Sequence, residues 1–391
     1  MIGLVLFDLQ NVIAWWRGRV LDASLEGDED FTILVPVYGN RKYFEERSQL
    51  ERWKDHVVVI LEVSSPDMRA FSLTLKADGW RVFTCVVATP SPPRLILEAL
   101  RAGVVKTTYV LRMDGDTRPI DDISRYVAEM RRDGADLSSV KVYVADPSTS
   151  AQRFQALEYR MSMLSRHFRP HLTSGACYVA KTGVLRAILE RHSFWSVGED
   201  VETGRIANAL KLRIRHLDMR VLTDAPASWK ALLKQRRLWW AGNFRHTWVN
   251  FDKNVLHMPV WTFYYAALVW VGIVFKGRSL SAFVDWRSAL VGFVAMWILY
   301  AGIALVGNLP VASWRMLVYP PYALLQAILM PTVGIVYFTV LSRRLGGFGR
   351  YRFGYRRRPL PVRLLRPERR GTAPAAAVSV SRTGLRVVGV A

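Results

Sequence analysis

Residues 109–120 read YVLRMDGDTRPI, which sets Asp114 and Asp116 one residue apart, around a glycine, at the end of an apolar run. Two carboxylates on such a turn can share one hard divalent cation. Mg2+ or Mn2+ prefers oxygen ligands and takes one or two protein carboxylates, completing its shell with substrate phosphates. An ion held this way would balance a diphosphate in a chain whose formal net charge is +22. The same residues also suit a plain turn, with Asp114 capping the loop and Asp116 solvated. A second acidic pair, Glu199–Asp200 in GED at 198–200, precedes a helical segment. The helix dipole favours carboxylates there whether or not they do chemistry.

The elements that must position these groups are legible as a pattern. From Phe31 to about Leu222, short β-branched runs (FTILVPV, HVVVILEV, WRVFTCVV, TTYVLRMD, VKVYVA) alternate with helical periodicity, as at 120–133 and 182–193. Strand and helix taking turns predict an α/β domain with a mostly parallel sheet and helices on both faces. Such sheets bind ligands beyond the carboxyl ends of their strands, where Asp114 and Asp116 fall. Cys85 and Cys177 are the only cysteines. They imply no disulfide framework and fit a reducing compartment.

The second half of the chain is of a different kind. Arg287 and Arg315 bracket 27 residues without a charge, and Met316–Ser342 is another uncharged 27. At 1.5 Å per residue either run can cross a hydrocarbon core of about 30 Å. Met258–Phe275 is a third, at 18 residues, followed by Lys276, Arg278 and Arg287; it is expected to lie along the interface or re-enter, which leaves position 280 on the inner side. Between Arg343 and Arg370 there are eleven arginines and one glutamate, a net +10. A basic run directly after a span reads as cytoplasmic and close to anionic lipid. Its rival reading is a membrane-anchored nucleic-acid-binding protein, which GRYRFGYRRR also suits; the apolar runs account for the charge without nucleic acid. The start, MIGLVLFDLQNVIAWW, is apolar but broken by Asp8, Gln10 and Asn11. It makes a poor signal peptide and a better short anchor.

Several motifs follow one another in a set order: VPVYGN at 35–40, YVLRMDGD, FQALEY at 154–159, SGACYVA at 174–180, GED, and KQRRLWWAGN at 234–243. In this order the chain resembles the family 2 glycosyltransferases, and in particular the membrane-embedded cellulose, chitin and hyaluronan synthases, over roughly residues 31–342. The resemblance implies a GT-A fold, a nucleotide-sugar donor (a UDP-sugar above all), a divalent metal, Mg2+ or Mn2+, and inversion at the anomeric carbon. It implies an anchor or interfacial segment at 1–30, a catalytic domain at 31–228, an interfacial helix at 229–256, transmembrane helices at 257–342 and a cytoplasmic, partly disordered tail at 343–391. The expected setting is the cell membrane, multi-pass, with membrane lipids, a glycan or lipid acceptor and an accessory export protein as partners. The expected product is a growing β-linked polysaccharide, with a single transfer to a lipid or short glycan as the alternative.

Carried onto residues, the resemblance makes Asp116 the metal ligand, with Asp114 beside it for metal, ribose or diphosphate. Val35, Pro36 and Tyr38 form the first loop against the nucleotide. Glu62 stands where the family has an aspartate for the base, one methylene longer. Ser174, Gly175 and Ala176 form the acceptor-side loop, with Glu199 nearby, and Asp200 is the general base. Gln235, Arg237 and Trp239 lie in the stretch matching Q-x-x-R-W, Trp239 bordering the acceptor and the polar residues reaching the donor diphosphate. That stretch here reads Q-R-R-L-W, so Leu238 takes the arginine position. Lys234, one turn earlier, and Arg237 are the two side chains able to replace its charge, and the planar Arg237 fork is the better fit to phosphate.

Overall fold

A computed structural model of the chain describes residues 24–45, 47–166, 171, 173–194, 197–249, 286–307, 313–322 and positions 333, 336, 337, 339 and 340. The expected N-terminal anchor lies almost wholly outside these residues. So do the run Met258–Phe275, position 280, much of Met316–Ser342 and the Arg-rich tail.

The strands are β1 (Phe31–Val37), β2 (Val57–Glu62), β3 (Arg81–Cys85), β4 (Tyr109–Met113), β5 (Thr117–Pro119), β6 (Leu137–Val144), β7 (Cys177–Lys181) and β8 (Ile214–Thr223). The helices are α1 (Pro66–Ala77), α2 (Pro92–Arg101), α3 (Ile123–Asp133), α4 (Ser150–Ser165), α5 (Thr182–Leu189), α6 (Glu199–Ala209), α7 (Trp229–Val249) and α8 (Trp286–Gly307). Local chemistry sets several boundaries. Ser65 caps α1 through Met68 N, with Pro66 as the first helical residue. Asp122 caps α3, and Gly134, at φ 66°, ends it in the left-handed conformation that glycine adopts without strain. Thr149 and Gln152 form a reciprocal capping box at the start of α4.

The strands form one eight-stranded sheet in the order β3-β2-β1-β4-β7-β6-β8-β5. Its first four strands are parallel. The pairings β4–β7, β6–β7 and β5–β8 are antiparallel. The expected mostly parallel sheet is therefore a mixed one. The reason it was misread is physical: every residue of β1, β2 and β4 is buried, and a strand covered on both faces is a continuous apolar run whichever way it points.

Both faces are covered, as expected. Leu34, Ile60, Val110 and Ala180 pack with α2, α5 and α6 in one core cluster. The alternate residues Val35, Val59, Leu111 and Val179 are fully buried on the other face. There Tyr126 of α3 hydrogen-bonds Ser138 and the Ser139 carbonyl of β6. Pro36 sits inside β1, although proline cannot donate to a ladder. It is tolerated because the β1–β4 pairing ends at Leu34 and Arg112.

Two compact units are present, one built from residues 24–141 and 171–223, the other from 142–166 and the described residues after 224. Within the expected catalytic segment, α4 thus groups with the later residues. In that second unit Gln152 and Gln155 donate to the carbonyls of Ala225 and Pro226. Phe154, Leu157, Ala304, Met316 and Tyr319 form its core cluster. Among the described residues no helix is long and apolar enough to cross a membrane. Helix α8, 22 residues long, starts one residue before Arg287, covers the first part of the first uncharged run, and exposes Leu290, Val291, Val294 and Ile298.

Candidate active site

The site is built in the first unit, at the carboxyl ends of β1, β2 and β4. After β4 the chain turns over Asp114–Gly115–Asp116, closed by Thr117 N donating to Asp114 O at 3.1 Å. Gly115 is required there: a Cβ would lie 1.9 Å from the backbone oxygen of Tyr43. Gln49 Nε2 reaches Gly115 O at 3.3 Å from the same side. The turn is pinned from below, which leaves Asp116 exposed at its outer edge.

Antiparallel pairing brings the second part into place. Met113 pairs with Cys177, so the loop entering β7 meets the turn leaving β4, and Asp114 N donates to Ala176 O at 3.0 Å. Ser174, Gly175 and Ala176 are that loop. It is clamped in turn to α6. Gly175 N donates to Asp200 Oδ2 at 2.7 Å, and Thr173 Oγ1 donates to the Asp200 carbonyl. One turn further along α6, Gly204 lets the chain at His171 approach so closely that a Cβ would stand 1.8 Å from His171 O. Glu199 and Asp200 occupy the first two positions of α6, after Gly198 at φ 76°. His192 bonds the Glu199 carbonyl through Nε2 at 2.9 Å and accepts from Phe194 N at Nδ1.

Between the two acidic pairs lies Arg112, which the sequence reading did not single out. Its side chain is 3% exposed, and Nη2 reaches Asp114 Oδ1 at 2.9 Å and Glu199 Oε1 at 3.4 Å. The available signal was an arginine inside an otherwise apolar five-residue strand, two residues before the first aspartate. Burial opposes its charge, yet Asp114 and then Glu199 hold the guanidinium above its usual pKa.

The carboxylates respond in the opposite sense. Protein packed around Asp114 raises its carboxyl to about 7, Asp116 and Asp200 adding to the rise and Arg112 opposing it. The side chain keeps 41% of its surface open to solvent, which moderates the rise, and the turn holds a proton more tightly than an ordinary aspartate does. Burial, then the Asp200 charge, raises Glu199 as well, to about 8. Burial and the Glu199 charge push the Tyr38 hydroxyl up to about 12, so it stays a hydrogen-bond donor.

Among the described residues no group of three or more His, Cys, Asp or Glu converges as a full ligand set. The fit is to an ion completed from outside the protein: oxygen donors only, on one turn, with crowded negative charge that a divalent cation relieves. Asp116 and Asp114 are the residues that could hold it.

The remaining expected residues fall as follows. Val35 and Pro36 are buried within β1, not in a loop; Tyr38, just beyond the strand, is the residue that joins the site. Glu62 is the last residue of β2, at the expected strand end, but it is 4% exposed and its two oxygens accept from Ser64 N and Ser64 Oγ. Gln235, Arg237 and Trp239 lie on α7 in the second unit. Gln235 Oε1 accepts from Arg236 at 3.0 Å. Arg236 is buried, bonds Glu158 Oε2 at 2.6 Å and lies 4.3 Å over the Trp239 ring. Arg237 stands 5.1 Å over Tyr337. Trp239 is 44% exposed and stacks with Tyr159 at 6.3 Å.

Comparison with known proteins adds the following. The family described as Glycosyl transferase family group 2 matches residues 109–340. Among curated proteins none matches the chain. Of solved structures, the mannosyltransferase PcManGT from Pyrobaculum calidifontis, in complex with GDP-Man and Mn2+, is similar over 84% of this chain and 97% of its own, at 13% identity and TM-score 0.51. At that identity the likeness is one of fold. S. aureus TarS, residues 1–349, is similar over 83% of this chain and 93% of its own, at 16% identity and TM-score 0.37.

Proposed function

The chain belongs to glycosyl transferase family group 2, and we propose from that premise that it transfers a sugar from a nucleotide-sugar donor, with inversion, to a glycan at a membrane. The observation that carries this reading is the joining of the Asp114–Asp116 turn to the Asp200 helix by Arg112 and the Gly175 amide. Donor-binding and proton-accepting carboxylates are thereby held on neighbouring elements of one site.

In this reading Asp116 and Asp114 would hold a divalent ion on the donor side of the site. When bound, that ion supplies positive charge to a leaving nucleoside diphosphate. The fold relative from Pyrobaculum calidifontis was solved with GDP-Man and Mn2+, which supports a donor and metal of these classes. Tyr38 donates from the end of β1. Asp200 takes the proton of the attacking acceptor hydroxyl on the face opposite the diphosphate, as a single displacement requires. Its Oδ2 is already oriented by the Gly175 amide, which leaves Oδ1 to do so. Trp239 and Tyr159 form an exposed aromatic surface of the kind a sugar ring can cover.

Membrane attachment is part of the proposal. It is supported by the two uncharged runs of 27 residues, by the Arg-rich segment after the second, and by the apolar side chains exposed on α8. The catalytic unit and the tail are then both cytoplasmic, and the acceptor is a growing β-linked chain. A second reading is one transfer to a lipid or short glycan; Leu238, where the Q-x-x-R-W pattern has arginine, departs from the synthases that the chain resembles.

The test is transfer by the purified full chain from radiolabelled UDP- and GDP-sugars, with Mn2+ or Mg2+. Incorporation that Asp200→Asn abolishes is expected, and product length separates the two readings. No incorporation from any donor, or full activity in Asp200→Asn, would overturn the assignment.

A further inference from the structure

Arginine is an unfavourable choice for the interior of a fully covered strand. Every residue of β4 is buried, Arg112 included, and a desolvated guanidinium is tolerated only when its donors are met. Here one nitrogen is met twice, by carboxylates from two different elements. The other, Nη1, is buried and has no hydrogen-bond partner among the described residues. It lies toward the base: a Cβ placed on Gly175 would stand 3.7 Å from Arg112 Nη1 and 3.5 Å from Asp200 Oδ2.

A methionine would fill much of this space with no unmet donor. It could not link the acidic side chains of two different elements, as Arg112 does. Glu199 adjoins Asp200 on the first turn of α6, and Asp114 adjoins the donor turn. The spacing between the diphosphate-binding group and the proton acceptor therefore passes through one planar, rigid group.

We propose that Arg112 is a positioning residue for sugar transfer, setting the base helix against the donor turn through its shared contact with Asp114 and Glu199. The inference rests on the glycosyltransferase reading above. In-line displacement needs base and leaving group on opposite sides of the reacting carbon, and a misplacement of about 1 Å can lower a rate on the order of 10²-fold. Arg112 touches neither substrate in this account; it acts through the two carboxylates.

The experiment compares full-length wild type, Arg112→Met, Arg112→Lys, Glu199→Ala and the Arg112→Met/Glu199→Ala pair. Three quantities are read: the melting temperature, calorimetric binding of UDP and GDP with Mn2+, and kcat and KM for the donor that wild type uses. Arg112→Met is expected to lower kcat on the order of 10²-fold while nucleoside diphosphate still binds. Arg112→Lys should recover part of this, since it restores the charge but not the fork. The double variant should be no slower than Arg112→Met alone, because both substitutions break the same link. A packing role would instead lower the melting temperature and leave kcat unchanged. That result, or strictly multiplicative effects in the double variant, would overturn the proposal. If Arg112→Met does not fold, Arg112→Lys and Glu199→Ala carry the same test, and unchanged kcat in both overturns it. A wild-type chain that transfers from no donor overturns the glycosyltransferase reading and this inference together. Activity in wild type, loss in Asp200→Asn and unchanged kcat in Arg112→Met and Arg112→Lys overturns this inference alone.

Discussion

Asp116 and Asp200 are both carboxylates at element ends, and the proposed reaction gives binding to the first and proton transfer to the second. Asp200 is oriented by a backbone amide and by its helix, so Asp200→Asn should leave nucleotide binding intact and lower turnover by about 10²–10⁴-fold. Asp116→Asn should instead weaken Mn2+-dependent nucleotide binding, measured by calorimetry with and without the ion. Glu199 makes a separate prediction about stability. Its carboxyl is raised from 4.5 to about 8 by burial first and the Asp200 charge second, so the folded state holds a proton that the unfolded state has released. The stability this contributes is full below about pH 4.5 and is lost as pH rises through about 8. Without divalent metal, the melting temperature of wild type should fall across that window more steeply than that of Glu199→Gln. Parallel curves for the two proteins would show that Glu199 does not hold the proton.

At the scale of elements, two glycines test whether close approach or propensity governs the site. In a helix interior, Gly→Ala ordinarily stabilises by about 1 kcal/mol. In α6 the new Cβ of Gly204→Ala would meet His171 O at 1.8 Å, and overpacking of this kind costs about 1–3 kcal/mol. Net destabilisation in urea is the expected outcome; a gain would mean that the loop at 171–176 yields freely. Helix α7 offers a second contrast. Arg236 is buried against Glu158, whose side chain keeps 21% of its surface and also accepts from Tyr322 at 3.0 Å. Arg236→Ala should therefore destabilise the protein by roughly 2–4 kcal/mol, below the upper range for a fully buried pair. Arg237→Ala should melt near wild type and lose activity. Melting curves and donor kinetics on both variants measure the two effects separately.

For the whole molecule, the proposal is that apolar surface and basic charge attach the same chain to a membrane by different physics. The charge term is screened, with a Debye length of about 3 Å at 1 M salt, while burial of apolar side chains is not weakened by salt. The full chain should therefore stay with sedimented membranes in 1 M NaCl and leave them in detergent. Complete release by salt alone would reduce the attachment to the Arg-rich tail and remove the case for embedded segments.

Much of the site could be read from the residues because its chemistry is local. A D-G-D turn after an apolar strand and an acidic pair opening a helix declare themselves by spacing, and the order of the motifs pointed to the family. The α/β alternation was equally plain, since strand and helix periodicities differ within a few residues. Strand direction was not, because β4 and β7 are both apolar runs and nothing in either says that they pair antiparallel. That pairing is what sets Ala176 against Asp114 and, through Gly175, brings Asp200 to the donor turn. The meaning of Gly115 and Gly204 was hidden for a related reason: each is small to let a distant backbone segment pass. Arg112 shows the limit most clearly. Along the chain it is one charge in a hydrophobic strand. Only the tertiary fold, by bringing residue 199 to residue 112, turns it into the link between the acidic side chains of two elements.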